Sequence, residues 1–232
     1  MVLHSSPPAG WLRAQITRIE QEAQSVTATG IGQQHLDEAM QAPTIKSNQA
    51  PSTMRPYPSQ YLYSWTTKGG LPVIIRPIRP EDEPLMVRFH ESLSERSVYL
   101  RYFCSLSLNT RVAHERLVRI CFADYAREIP LVLDYTDEKS GIHEVLGVGR
   151  LSKLPEHSDG EVAVIISDRC QAQGLGTELL KRLIQIAKDE GLNRLQGEVL
   201  RDNITMQTVM RKLGFRLRML EDPATIHAVL EL

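Results

Sequence analysis

Apolar residues recur along this chain in two rhythms, and the changes between them mark out the elements of one folded region. Over residues 71–77, Val73-Ile74-Ile75 centre a β-branched run of strand length. Pro80-Glu81-Asp82-Glu83 then opens a helix, with proline in the first turn and acids complementing the dipole. Leu85, Met86 and Phe89 fall on one face of it. A second helix starts at Ser94-Glu95-Arg96-Ser97, and a third is predicted over 109–120. The period then shortens to that of strands over 129–135, 144–154 and 161–166, separated by polar turns at 136–141 and 157–160. Helical spacing returns over 177–190 through Leu179, Leu180, Leu183, Ile184 and Ala187. A strand over 194–200, a helix over 203–213 and strands over 215–220 and 226–230 follow. Three hairpin-linked strands imply an antiparallel block, and the crossover through 177–190 implies one parallel pair. The expected fold class is α/β: a mixed, mostly antiparallel sheet of about seven strands with helices on both faces.

Residues 1–58 do not share this pattern. Trp11, Leu12, Ile16, Ile19 and Ala23 space out as one stripe of a short amphipathic helix. From Thr27 to Pro58 the chain is rich in Gln, Ser, Thr, Ala and Pro, the composition of a flexible linker. The expected organisation is an N-terminal extension over 1–58 and one folded domain over 59–232.

The junction between the 161–166 strand and the 177–190 helix carries the candidate chemistry. Ser167 to Gly176 holds two glycines, Gly174 and Gly176, just ahead of the helix. Free N–H groups of a first helical turn and the positive end of the dipole point into such a turn, a geometry that binds phosphate. A P-loop needs Lys-Ser/Thr after its last glycine, whereas Thr177-Glu178 follow here, and the dinucleotide fingerprint needs a third glycine.

The formal net charge of −1 gives no global electrostatic case for nucleic acid or a membrane surface. No apolar run reaches membrane-spanning length, and the first ten residues lack the layout of a secretory signal. Cys104, Cys121 and Cys170 are too few and too scattered for a disulfide framework or a zinc site. A cytoplasmic protein with reduced thiols is expected. Cys170 stands apart, because its place near a helix N-terminus is one where thiolates are stabilised.

The pattern Gln171-x-x-Gly174-x-Gly176 resembles the acyl-coenzyme-A pyrophosphate loop of the GNAT N-acetyltransferase superfamily. Leu146-Gly147-Val148-Gly149-Arg150-Leu151 looks like the strand before it. Asn203-Ile204-Thr205-Met206 with Lys212-Leu213-Gly214-Phe215 looks like that superfamily's late helix. Two further stretches, from Arg76 to Asp82 and from Leu93 to Phe103, resemble one branch, the bacterial protein-lysine acetyltransferases, as does the junction Pro56-Tyr57-Pro58.

The resemblance implies acetyl-CoA as co-substrate and a protein lysine as acceptor, with an acyl-CoA synthetase as one acceptor to consider. A lysine amine, with a pKa of about 10.4, must lose a proton before it attacks a thioester. Glu161 is the candidate general base, since its apolar neighbours Val162 to Ile166 favour a raised carboxylate pKa, and the resembling branch has a glutamate there. His157 and Asp159 sit in the turn before it. Main-chain groups of Ile165 and Ile166 are expected to line the pantetheine arm as an added strand would. N–H groups of Gln171, Ala172, Gln173, Gly174, Leu175, Gly176 and Thr177 are expected to hold the diphosphate. Asn203 and Met206 are placed by the resemblance beside the arm and thioester, and Asn203 also suits a helix N-cap. The tyrosine that protonates the departing thiolate in many members falls at Met210, which has no proton to give. Two other readings stay open: an N-acetyltransferase for small amines, and a weakly catalytic acyl-CoA-binding regulatory module.

Overall fold

The computed structural model describes residues 55–154, 158–219 and 222–232. The expected helix at Trp11–Ala23, the linker as far as Met54, and His157 lie outside the described residues.

Eight strands form one sheet, in the order β1-β2-β3-β4-β5-β6-β8-β7. They are β1 (Tyr63–Thr66), β2 (Pro72–Pro77), β3 (Glu128–Thr136), β4 (His143–Lys153), β5 (Asp159–Ile166), β6 (Arg194–Leu200), β7 (Arg216–Met219) and β8 (Thr225–Glu231). Every neighbouring pair is antiparallel except β5 and β6. That pair is parallel because α5 (Leu175–Asp189) carries the chain from one strand to the other.

The remaining helices are α1 (Glu83–Glu91), α2 (Glu95–Tyr102), α3 (Leu108–Val112), α4 (His114–Cys121) and α6 (Ile204–Lys212). The expected single helix over 109–120 is in fact two, α3 and α4. Ala113 between them takes an extended ψ of 129°. Arg111, buried at the end of α3, donates to the carbonyls of Leu106 and His90, and this anchoring sets the break.

Apolar residues divide between the two sheet faces. On one, Leu179, Leu180, Leu183 and Ile186 of α5 pack with Leu131, Leu133, Leu151, Val162, Leu195 and Ala228 of the sheet. On the other, Leu85, Met86 and Phe89 of α1 and Leu117 of α4 pack with Val132, Val145 and Ile165. Each such side chain contributes on the order of 1.5–3 kcal/mol by leaving water. Glycines in β4 let α5 come close: a Cβ at Gly149 would stand 2.9 Å from Leu179. The Arg76–Asp82 motif is structural. Arg76, buried in β2, donates through both Nη atoms to Asp82 at 2.7 Å each and through Nε to Asp134 at 2.6 Å. Asp82 also accepts the Arg79 N–H at 2.7 Å, which closes the turn leading into α1.

Candidate active site

The site begins where two strands part. β5 and β6 pair only through Asp159, Gly160 and Glu161 against Arg194, Leu195 and Gln196. Beyond Glu161, residues Val162–Ile166 pair with β4 alone, so the sheet opens as a wedge along one side of β5. Gly197 sits at its root, where a Cβ would come within 3.0 Å of the Val162 carbonyl oxygen.

At the open end of the wedge, β5 runs into Ser167, a 3₁₀ turn at Asp168–Cys170, and the loop that precedes α5. Gly174 has φ +86° and Ala172 φ +60°. Left-handed residues in such a run turn successive N–H groups to the same side, a nest suited to an anion. Gln171, Ala172, Gln173 and Gly174 are exposed, Gly176 and Thr177 half-buried, and Leu175 buried in the core. Glu178 is the first residue of this helix whose N–H finds a carbonyl four residues back, at Gly174. The loop's backbone therefore fits a diphosphate, and Gly176, without a side chain, leaves the approach clear.

Polar side chains hold the loop in shape. Asp168 accepts the Ser94 N–H at 2.9 Å, the Ser94 hydroxyl at 2.7 Å and the Ser97 hydroxyl at 2.8 Å. Burial raises the pKa of this carboxyl, but these donors outweigh it and hold the group below the usual range. Ser94 also caps α2 by accepting the Ser97 N–H. Gln171 turns its amide inward, donating to Ser97 Oγ at 3.1 Å and to the Ile166 carbonyl at 3.2 Å. A bulge in β4 at Leu146 presents that residue's carbonyl to the Ser167 N–H. Arg169 is paired with Glu144. Asp168 falls within the junction that the sequence marks, but nothing in the sequence ties Ser94 and Ser97 to it.

Glu161 lies at the closed end of the wedge, half-buried. Alternation along β5 puts it on the same face as Ile165, the face covered by α1–α4. Burial pushes its carboxyl above the ordinary carboxylate value, while Arg150 of β4 and Arg101 of α2 pull it back. Glu198 of β6 shares this face, two residues beyond Gln196, and is also raised, by burial and by the Glu161 charge. Tyr102, next to Arg101, accepts a hydrogen bond from Arg116 at 3.1 Å. Its phenol is raised by burial, but Arg116, Arg101 and Arg150 overcome this and bring it below its ordinary value. The sequence reading missed Arg101, Tyr102 and Glu198, which converge only in the fold.

Other expected residues fall into place or out of it. Asn203 is the N-cap of α6, its Oδ1 accepting the Met206 N–H at 3.1 Å. Met206 is half-buried against the core and Met210 is fully within it. Asp159 is the first residue of β5 rather than part of the turn, buried and paired with Arg194. Cys170 is buried, and burial pushes its thiol up, so the expected stabilised thiolate is not found. No group of residues suited to a metal ion occurs among the described residues. None of the described helices is long and apolar enough to cross a membrane.

Comparison with known proteins agrees with this fold. A family model described as an acetyltransferase (GNAT) domain matches residues 73–216, more than half of the 232-residue chain. An acetyltransferase of Pseudomonas aeruginosa is 28% identical over 146 residues, covering 63% of this chain and 76% of that protein. The acetyltransferase Pat of Mycolicibacterium smegmatis is 27% identical over 141 residues. That match spans 60% of this chain but only 40% of Pat. Among solved structures, the GNAT domain of S. lividans PAT superposes with a TM-score of 0.67 at 23% identity, over 76% of this chain and all of that one. Mycobacterium smegmatis RimJ in complex with CoA-disulfide superposes with a TM-score of 0.58 at 17% identity, over 73% of this chain and 86% of that one. The matched span takes in the wedge, the amide loop and both faces of the sheet, and the chain belongs to the GNAT acetyltransferase family, whose members use acetyl-CoA.

Proposed function

We propose that this N-acetyltransferase moves the acetyl group of acetyl-CoA directly onto a lysine amine of a protein, with Glu161 as general base. The observation that carries the reading is the position of Glu161. It is a half-buried carboxylate at the root of the wedge, several residues along β5 from the amide loop. At about 3.3 Å per residue, the stretch from Glu161 to Ile166 runs for roughly 17 Å. That is room for an extended arm along the unpaired side of β5, bordered by the main chain of Ile165 and Ile166. The N–H groups from Ala172 to Thr177 hold the diphosphate at one end, since the Gln171 N–H is taken by the Asp168 carbonyl at 3.3 Å. Asn203 and Met206 border the thioester end.

Burial alone would raise the Glu161 pKa and keep more of the carboxyl protonated. Arg150 and Arg101 counter that in part, and the net upward shift makes Glu161 a stronger proton acceptor than an ordinary carboxylate. The same cations disfavour an ammonium beside them, which helps the acceptor amine shed its proton. Glu161 takes that proton and later returns it to solvent. The neutral amine forms a bond to the thioester carbonyl carbon, and the carbon–sulfur bond breaks. The surplus proton on the new amide nitrogen reaches the thiolate through water, because Met210 is a core residue with nothing to donate.

A protein acceptor is favoured over a polyamine by Arg101 and Arg150 beside the base, which would repel a polycation. The motifs shared with bacterial protein-lysine acetyltransferases point the same way. The test is to incubate the full chain with acetyl-CoA and two acceptor panels: proteins that include an acyl-CoA synthetase, and small amines. Mass spectrometry of acetylated lysines is expected to find protein acceptors used at higher kcat/KM. Faster turnover of polyamines or aminoglycosides would contradict the reading.

A further inference from the structure

The reacting end of the wedge holds a guanidinium that none of the described residues neutralises. Arg101 lies in the last turn of α2, half-buried, with its Cζ 5.2 Å from the centre of the Tyr102 ring. This contact with the phenol ring satisfies none of the five guanidinium N–H groups. Among the described residues, no hydrogen-bond acceptor and no carboxylate within ion-pair distance meets Arg101.

The cations around it are engaged. Arg116 donates to the Tyr102 hydroxyl at 3.1 Å and to the Arg111 carbonyl at 2.9 Å, and lies 5.4 Å from the same ring. Arg150 has a loose contact with Glu128 at 3.8 Å. Arg111 is spent on the main chain of Leu106 and His90. Glu161 acts on Arg101 through space without closing an ion pair. A carboxylate locked to Arg101 would be a poor base, so the separation suits its role. A partly desolvated guanidinium without a counter-ion is costly, and a carboxylate brought by a substrate removes that cost.

We propose that Arg101 receives a carboxylate carried by the substrate close to the reacting amine and thioester. Two sources share this chemistry: an Asp or Glu flanking the acceptor lysine, and the far end of a dicarboxylic acyl group on coenzyme A. The inference deepens the reading of Glu161 and a lysine acceptor, on which it rests. It makes Arg101 a residue that sets specificity.

The experiment uses the full chain and two paired comparisons. In the first, acetyl-CoA is supplied with single-lysine peptides flanked by Asp and Glu or by Asn and Gln. In the second, succinyl-CoA is compared with acetyl-CoA on the neutral peptide. A charge-assisted, two-pronged contact is expected to give about a ten- to hundred-fold preference in kcat/KM for the acid-bearing member of one pair. Arg101→Gln should bring that ratio to within about two-fold, and Arg101→Lys should restore part of it. The pair that shows the preference identifies the source. Ratios near one in both pairs for the unsubstituted protein, or ratios unchanged by R101Q, overturn the proposal. If no lysine peptide is acetylated, the lysine-acceptor reading fails, and calorimetry then decides the proposal without turnover. Tighter binding of the acidic peptide to the CoA-loaded protein, or of succinyl-CoA over acetyl-CoA, supports it when R101Q abolishes the difference. Equal affinities in both comparisons refute it.

Discussion

Replacing Asp82 with asparagine removes one charge from a buried pair while leaving the shape of the side chain intact. Asp82 accepts two bonds from Arg76 at 2.7 Å each and a third from the Arg79 N–H, and both partners of the pair are nearly inaccessible to water. An asparagine offers one acceptor oxygen, and its NH₂ then faces a guanidinium N–H, donor against donor. Breaking a buried pair from one side typically costs 3–5 kcal/mol, because an uncompensated charge remains. Here Asp134 still holds Arg76 Nε at 2.6 Å, although His143 shares that carboxylate. The expected loss is therefore about 2–4 kcal/mol, a large part of a typical total of roughly 5–15 kcal/mol. For a domain of this size it corresponds to a fall in Tm of about 4–16 °C. Urea denaturation followed by circular dichroism reads the change, with an unaltered m-value showing that the denatured state is the same. The double substitution Arg76→Met with Asp82→Leu should recover part of the loss by removing the stranded guanidinium, while Asp134 keeps only His143 and the Arg79 N–H loses its acceptor. A loss below about 1 kcal/mol in Asp82→Asn would refute the reasoning.

Other expectations follow from the loop and the helical layer. Gly174→Ala places a side chain at φ +86° and should cost roughly 1–2 kcal/mol, with weaker acetyl-CoA binding measured by calorimetry. Asp168→Ala unties the loop from Ser94 and Ser97, and an increase in acetyl-CoA Kd of about ten-fold is expected. Because its folded pKa is depressed, the contribution of Asp168 is present above the unfolded value and is lost as pH falls through the folded one. His90 is buried, its Nδ1 meets no hydrogen-bond partner among the described residues, and burial with Arg116, Arg111 and Arg101 nearby takes its pKa from 6.5 to about 3. Between those values the unfolded chain binds a proton that the folded one does not, so stability falls as pH drops below 6.5. The drop between pH 7 and pH 5 should be about 2 kcal/mol from this residue, and His90→Leu should flatten it in urea titrations.

The sequence made β2 to β8 legible because each carries enough alternating or β-branched positions to declare its period. β1 escaped, since Tyr63-Ser64-Trp65-Thr66 is too short to establish one, although Tyr63 and Trp65 do pack on the core. The break at Ala113 was also hidden, because alanine favours helix and the break comes from the anchoring of Arg111. The amide loop could be read from its glycines and the helix that follows. The shell that shapes it could not: Ser94 and Ser97 stand about seventy positions from Asp168 and Gln171. The same holds for the surroundings of Glu161, where Arg101 comes from α2, Arg150 from β4 and Glu198 from β6. Cys170 went wrong for a related reason. Its position near a helix N-terminus was visible, but its burial against the core was not.

The most direct test of Glu161 as the base is single-turnover acetyl transfer by Glu161→Gln, measured beside its affinity for acetyl-CoA. The account predicts a fall in transfer rate of about 10²–10⁴-fold, with Kd for acetyl-CoA unchanged, since the amide loop lies at the other end of the wedge. Transfer at the rate of the unsubstituted protein, with binding intact, would contradict it.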